Sequence, residues 1–254
     1  MSAVWAIVRR ELQAYFVSPI AYTFITIFLA VVAAGFAAGV IHYAQTAAVM
    51  MQELGLSIRT QLVAGKFGLI TWGTAAVGVS LPGLAMRLFS EERRNGTAEL
   101  LFTSPITSTQ LVLGKYFGAM TVYALILALT LPLPGFLFWK AQPEAAALAC
   151  AYLGLFLYGG VMLAIGLFSS CLTENQFIAL VVTYALAVPL ILIEMLVPVA
   201  RPPFDVIFAS LSIGWALKQY SLGLFDSSYL ALDVALIAAC LFLSVRVIDS
   251  SRWR

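Results

Sequence analysis

Six long apolar runs, at residues 19–41, 67–85, 116–138, 145–170, 177–197 and 229–247, occupy most of this 254-residue chain. None carries a charged residue near its middle. A bilayer core of about 30 Å takes about 20 apolar residues as a helix. Each run is therefore long enough to cross, with short segments left to connect them. Gly35, Gly39, Pro82, Pro132, Pro134 and Pro189 interrupt the runs, which lipid tolerates because neighbouring helices re-satisfy the freed backbone groups. A barrel is excluded, since barrel strands alternate apolar and polar over about ten residues and these runs are apolar on every side. The expected fold is all-α: one polytopic membrane domain, residues 1–254, with six transmembrane helices.

Composition agrees. Apolar residues make up 62% and charged residues only 10%, with a mean hydropathy of +0.99, whereas soluble domains are about a quarter charged. That excludes a soluble enzyme, a disordered chain and a basic-patch nucleic-acid binder, and a net charge of +2 implies no polyanionic partner. Cys150, Cys171 and Cys240 lie in or at the ends of apolar runs and read as small buried side chains, not a disulfide framework. Arg9 and Arg10 stand nearly ten residues before the first run, and that run exceeds the short core of a signal peptide, so it reads as a retained span.

Orientation follows from Lys and Arg. Arg9, Arg10, Arg87, Arg93, Arg94, Lys115, Arg246, Arg252 and Arg254 fall on the side of the termini, against Arg59, Lys66, Lys140, Arg201 and Lys218. The positive-inside rule then expects both termini in the cytoplasm and a multi-pass protein of the cell (inner) membrane.

Three segments on that side exceed plain connectors. Residues 2–16 are amphipathic at helical spacing, with Val4, Trp5, Val8, Leu12, Tyr15 and Phe16 on one sector and Arg9, Arg10 and Gln13 opposite. Such a helix lies in the membrane interface, either as a mere entry helix or as a mechanical lever. In the loop 87–115, Glu91, Glu92, Arg93 and Arg94 extend the second helix into water. Asn95-Gly96 is a stop signal, and Thr97 is placed to cap a short helix bearing Glu99, Leu100, Leu101 and Phe102. Thr107 to Gln110 reads as a capping box opening the third span. Apolar residues in that charged frame suit a docking surface; a solvated turn is the alternative. Residues 168–176 form a tight turn in which Thr173 to Gln176 repeats the capping pattern.

Most catalytic templates fail. No G-x-x-x-x-G-K-[ST] phosphate loop is present: Gly65-Lys66 is followed by Phe67 and Gly114-Lys115 by Tyr116, so the chain has no usual cradle for ATP. His42 is the only histidine and makes neither a zinc site nor a Ser-His pair. Glu194 and Asp233 are the only acids within apolar runs. Both fall near the outer ends of spans five and six, where hydration is cheap, and both are candidates for an outer gate. Without an acid at mid-depth a proton relay loses support.

The loop Glu91-Glu92-Arg93-Arg94-Asn95-Gly96-Thr97-Ala98-Glu99-Leu100-Leu101, with Pro105 and Leu113-Gly114-Lys115, resembles the hallmark of ABC-2-type transporter permeases. Arg10-Glu11-Leu12-Gln13-Ala14-Tyr15-Phe16 and Ser18-Pro19-Ile20-Ala21-Tyr22 resemble the gliding-motility-associated, GldF-like branch. The resemblance runs through the whole chain. It implies six spans, with residues 1–18, including Arg9, Arg10 and Glu11, as an interface helix. It also implies that Glu91, Glu92, Arg93, Arg94, Gly96, Thr97, Glu99, Leu100 and Leu101 form the region that docks a separate ATPase, as a coupling helix. Residues 198–228 would re-enter the outer leaflet. The long first outer loop, 42–66, departs from the pattern.

The expected function is the permease subunit of an ATP-driven exporter, with no catalytic residues, metal or cofactor of its own, and with ATP and Mg on the ATPase partner. A non-transporting anchor or assembly factor for a motility or envelope machine is the alternative. Expected partners are the ATPase, a second permease subunit (homodimer or heterodimer) and the lipid bilayer, with no nucleic acid. Spans one, two and five would lie nearest the dimer axis, where Gly35, Ala38, Gly39, Gly73 and Gly78 permit close approach. Largely apolar spans favour a lipid-linked, hydrophobic or polymeric cargo.

Overall fold

A computed structural model describes residues 3–53, 68–94, 96, 106–135, 145–202 and 204–252. The described chain is helical, in the order α1 (Ala3–Val17), α2 (Pro19–Glu53), α3 (Leu69–Ala85), α4 (Arg87–Arg94), α5 (Ser108–Thr130), α6 (Ala145–Leu172), α7 (Gln176–Leu192), a 3-10 turn (Ile193–Met195), α8 (Phe204–Leu211), α9 (Ile213–Ser221) and α10 (Ser227–Arg252). No strand occurs among the described residues. Six stretches are long and apolar enough to cross a membrane: Ala21–His42, Leu69–Arg94, Ser108–Gly135, Ala145–Leu172, Gln176–Met195 and Ser227–Ser250. The chain is a multi-pass, all-helical membrane protein.

Helix α6 is the axis of the bundle, with α3, α5, α7, α9 and α10 packed around it. Its Ala151, Val161, Leu163, Ala164 and Leu167 are fully buried. Lipid tails are as apolar as leucine, so burial alone does not drive helices together there; close packing and interhelical hydrogen bonds must. Both are present. Tyr123 donates to the Leu155 carbonyl at 2.6 Å and Tyr116 to the Gly160 carbonyl at 3.2 Å, tying α5 to α6. Tyr184 donates to the Gly78 carbonyl at 3.1 Å, tying α7 to α3. Gly35 faces the Trp72 ring, and a Cβ at Gly73 would meet Leu155 Cδ2 at 2.9 Å. Those two glycines serve packing within the chain.

Several helix ends differ from the apolar runs, because caps set helix ends and hydropathy does not. The helix of the first span, α2, continues to Glu53, so residues 42–53 are helical where a loop is expected. The helix of the third span, α5, starts at Ser108, eight residues before its apolar run. There the expected capping box forms: Thr107 Oγ1 accepts from the Gln110 N–H and Gln110 Oε1 from the Thr107 N–H, both at 3.3 Å. The box expected at Thr173 does not open α7. Asn175 is the cap, accepting from the Phe177 N–H at 2.9 Å, while Thr173 Oγ1 only closes the turn to the Asn175 N–H. The helix of the fifth span, α7, gives way to the 3-10 turn after Leu192. Two short helices, α8 and α9, occupy part of 198–228, and α9 packs on α6 through a face that includes Ile213, Ala216 and Tyr220.

Candidate functional site

The site lies at the end of the bundle where α1, α4 and the starts of α2 and α5 meet. Two glycines of α5 create the seat for α1. A Cβ at Gly114 would come within 2.7 Å of Ile7 Cβ, and one at Gly118 within 2.9 Å of Glu11 Cβ. Helix α1 therefore rests on α5 through Ile7, Val8 and Glu11, with Ile7 and Val8 buried. The amphipathic reading of α1 is corrected on this point: Val8 is packed into protein, while Trp5 and Phe16 of the same sector are exposed.

Helix α4 extends α3 to Arg94 as expected, but its first residues are held inside the bundle. Pro82 has no N–H to give the Gly78 carbonyl, which accepts from Tyr184 instead; α3 and α4 run on as one membrane-length stretch, Leu69–Arg94, interrupted only at Met86. A new helix start leaves orphan N–H groups. Ser170 of α6 supplies the acceptor: its Oγ takes the Phe89 N–H at 2.8 Å and the Ser90 N–H at 3.0 Å. Leu88, Phe89 and Ser90 are buried as a result. At its far end Gly96 has φ +68, the left-handed conformation expected of a helix stop, and its N–H bonds the Arg93 carbonyl at 3.2 Å.

Lys115 joins these pieces. Its side chain is 2% exposed, and Nζ lies 2.9 Å from Glu11 Oε1 on α1 and 2.9 Å from Glu92 Oε1 on α4. The same ammonium sits 5.0 Å above the Phe89 ring, where the ring face attracts a cation. A buried ammonium is tolerated only when paired and hydrogen-bonded, and here two carboxylates from two other helices do so. Beside it, Arg87 pairs with Glu91 at 3.0 Å. A cavity of about 200 Å³ opens between α1 and α4, lined in part by Arg10, Tyr15, Arg87 and Glu91. Burial, and then the Glu11 charge, push the Tyr15 hydroxyl above its ordinary range.

Of the residues singled out from sequence, Glu11 and Glu92 are brought together. Glu91, Glu92, Arg93 and Arg94 lie on α4, with Arg94 exposed. Glu92 spends its carboxylate on Lys115 within the chain, so it is not simply a charge on an outer rim. Arg9 and Arg10 are exposed on α1. Thr97, Glu99, Leu100 and Leu101 lie outside the described residues. Glu194 and Asp233 lie on different elements at the opposite end of the bundle. Glu194, half-buried on the 3-10 turn, has its carboxylate against Gly214 at the start of α9. Asp233 lies near the start of α10, as expected, but is 3% exposed there and not hydrated.

Lys115 and Ser170 carry roles here that sequence reasoning did not assign. The signal for the first was present: Glu11 is one helical turn from both Ile7 and Tyr15, on the face that buries. A carboxylate there needs a cation, and Lys115, seven residues into a long apolar helix, needs an anion. Ser170 had no such signal, since a serine that caps another helix looks like any small residue in a packed one.

Six helices long and apolar enough to cross a membrane, with an ion-paired joint of three helices at one end, define a multi-pass membrane protein. A family model described as "ABC-2 family transporter protein" matches residues 43–218, and the chain belongs to that family. It is 31% identical over 116 residues to the "Probable multidrug ABC transporter permease YbhR" of Escherichia coli (strain K12), and equally to that of Escherichia coli O157:H7. The match covers 45% of this chain and 31% of each relative, so the chain spans under a third of the length of these curated relatives.

Proposed function

We propose that the chain is the permease subunit of an ATP-driven exporter, taking thrust from a separate cytoplasmic ATPase through α4 and the loop that follows it. The observation that carries this is the Lys115 bridge. A force applied beyond Gly96 enters α4, and the pairs to Glu92 and Glu11 pass it to α5 and α1 together. A connector with no mechanical duty has no need to bury an ammonium between two carboxylates. In this reading Glu99, Leu100 and Leu101 meet the ATPase, which holds ATP and Mg, while Arg9 and Arg10 of α1 face the membrane surface. Both termini are cytoplasmic and the membrane is the inner one, as the Lys and Arg distribution favours. Two permease subunits, identical or different, form the working unit, and the membership in the gliding-motility-associated branch rests on the N-terminal motif. The multidrug name of the Escherichia coli relative supports a hydrophobic or amphipathic cargo.

The test is reconstitution with the ATPase. Glu99→Ala is expected to insert normally yet lose ATPase recovery in a pull-down, because truncating one partner of a buried charged contact costs about 2–5 kcal/mol of binding. Equal recovery and equal transport by the variant would remove Glu99 from the interface. ATP turnover insensitive to every cargo, with no cargo moved, would favour the anchor reading.

A further inference from the structure

We propose that the cavity between α1 and α4 seats the headgroup of a zwitterionic phospholipid, a phosphodiester bearing a primary ammonium. This goes beyond the exporter reading and does not rest on it. The cavity lies at the depth where the apolar runs end. Ser18, in its wall, stands three residues before Ala21, the start of the first membrane-length stretch. Arg87 stands two residues after the end of α3, and Lys115 directly before the third apolar run. Trp5, Phe16 and Val17 of α1 are exposed, as suits an interfacial helix with apolar side chains among the acyl chains.

A second, smaller cavity adjoins the first on the side of the membrane interior. It measures about 20 Å³ and shares Tyr15, Ser18 and Arg87 with the larger one, while the rest of its wall is Ala21, Phe24 and Leu84. Ala21 and Phe24 belong to the first span and Leu84 to the second. Polar walls therefore pass into apolar ones across three shared residues. That is the order in which a lipid presents its headgroup and then the first carbons of its chains. A soluble phosphate compound has no use for the second part.

The charges select the headgroup. Arg10, Arg87 and Lys115 line the larger cavity together with Glu11, Glu91 and Glu92, so bases and acids balance. A doubly charged phosphate monoester is disfavoured there, and a zwitterion matches. Lys115 is committed to Glu11 and Glu92, while Arg10 is exposed at the rim. Arg87 meets Glu91 through Nη2, and a guanidinium carries five N–H donors in a fork that fits phosphate oxygens. The Glu91 side chain is 41% exposed, and a carboxylate accepts at about four sites, so it has room for an ammonium beside Arg87. The phosphate then rests on Arg10 and Arg87 and the ammonium on Glu91. A primary ammonium donates an N–H to that carboxylate; a trimethylammonium has none to give.

The test uses the full chain in dodecylmaltoside, without an ATPase, titrated with dioleoyl lipids and read by native mass spectrometry. Wild type is expected to bind its first phosphatidylethanolamine about fivefold tighter than phosphatidylcholine or phosphatidylglycerol, the size of one hydrogen bond. Arg10→Gln should weaken phosphatidylethanolamine and phosphatidylcholine alike, by about tenfold, as the loss of a charged hydrogen bond predicts. Glu91→Gln should erase the preference for phosphatidylethanolamine and keep phosphatidylcholine binding. Arg246→Gln, at an exposed cation of α10 outside both cavities, should change neither. Glycerophosphoethanolamine, the same headgroup without chains, should compete about a hundredfold less well, because it buries no methylenes. No preference among lipids in wild type, a preference retained in Glu91→Gln, or unchanged affinity in Arg10→Gln overturns the proposal. Competition by glycerophosphoethanolamine at the lipid's own concentration also overturns it, and assigns the cavity to a soluble phosphate compound. Any of these failures leaves ATP-driven export standing, and a failed transport assay would leave the lipid site standing.

Discussion

Two regions bury charge in this bundle, and they treat it in opposite ways. Around Lys115 the charge is closed: one ammonium meets two carboxylates and an aromatic face, contributed by three helices. Asp233, on α10, is buried with no ion pair among the described residues, and the Tyr220 hydroxyl of α9 is buried without a hydrogen-bond partner. A completed polar network rigidifies whatever it joins. An incomplete one is held at a cost until something fills it. The first region fixes three helices to one another; the second leaves a buried acid with no ion pair among the described residues.

The contrast predicts opposite responses to removing charge. Lys115→Met should be the most damaging single change, since it leaves Glu11 and Glu92 facing each other without their cation; breaking a buried pair costs about 3–5 kcal/mol. Thermal unfolding in detergent should show that loss for Lys115→Met, while Asp233→Asn, which breaks no pair, should unfold at or above the wild-type temperature. A variant order the other way round would abolish the distinction between the regions.

Ser170→Ala sharpens the comparison from a neutral side. It deprives the Phe89 and Ser90 amides of their acceptor, at about 1–3 kcal/mol for groups left buried and unpaired. Hydrogen exchange should then lose protection at those two amides and the rest of α4, with α9 and α10 unaffected. Unchanged exchange at α4 would mean that Lys115 alone fixes that helix.

Much of the fold is legible in the sequence, because a span needs only length and apolarity, and six runs supply both. What hydropathy cannot see is a polar residue that belongs inside. Lys115 looks like the last residue of a polar loop, yet Thr107 and Gln110 had already started the helix eight residues earlier. Glu11 falls on the buried face of α1, but its carboxylate reads as surface unless its distant partner is known. The same blindness hid the burial of Asp233, 3% exposed near the start of α10. Local signals fared better where the chemistry is local, as at Gly96 and Thr107. They misled at Thr173, where Asn175 two residues on offered the better cap.

The central claim is that Lys115 makes α1 and α4 move as one body. Spin labels at Arg10→Cys and Arg94→Cys, on exposed positions of the two helices and with Cys150, Cys171 and Cys240 replaced by alanine, report their separation by pulsed dipolar spectroscopy. One narrow distance, the same with and without ATP in the ATPase-bound protein, and a broad or shifted distribution in Lys115→Met, is the predicted result. A wild-type distance that changes with nucleotide, or a Lys115→Met distribution as narrow as wild type, would contradict it.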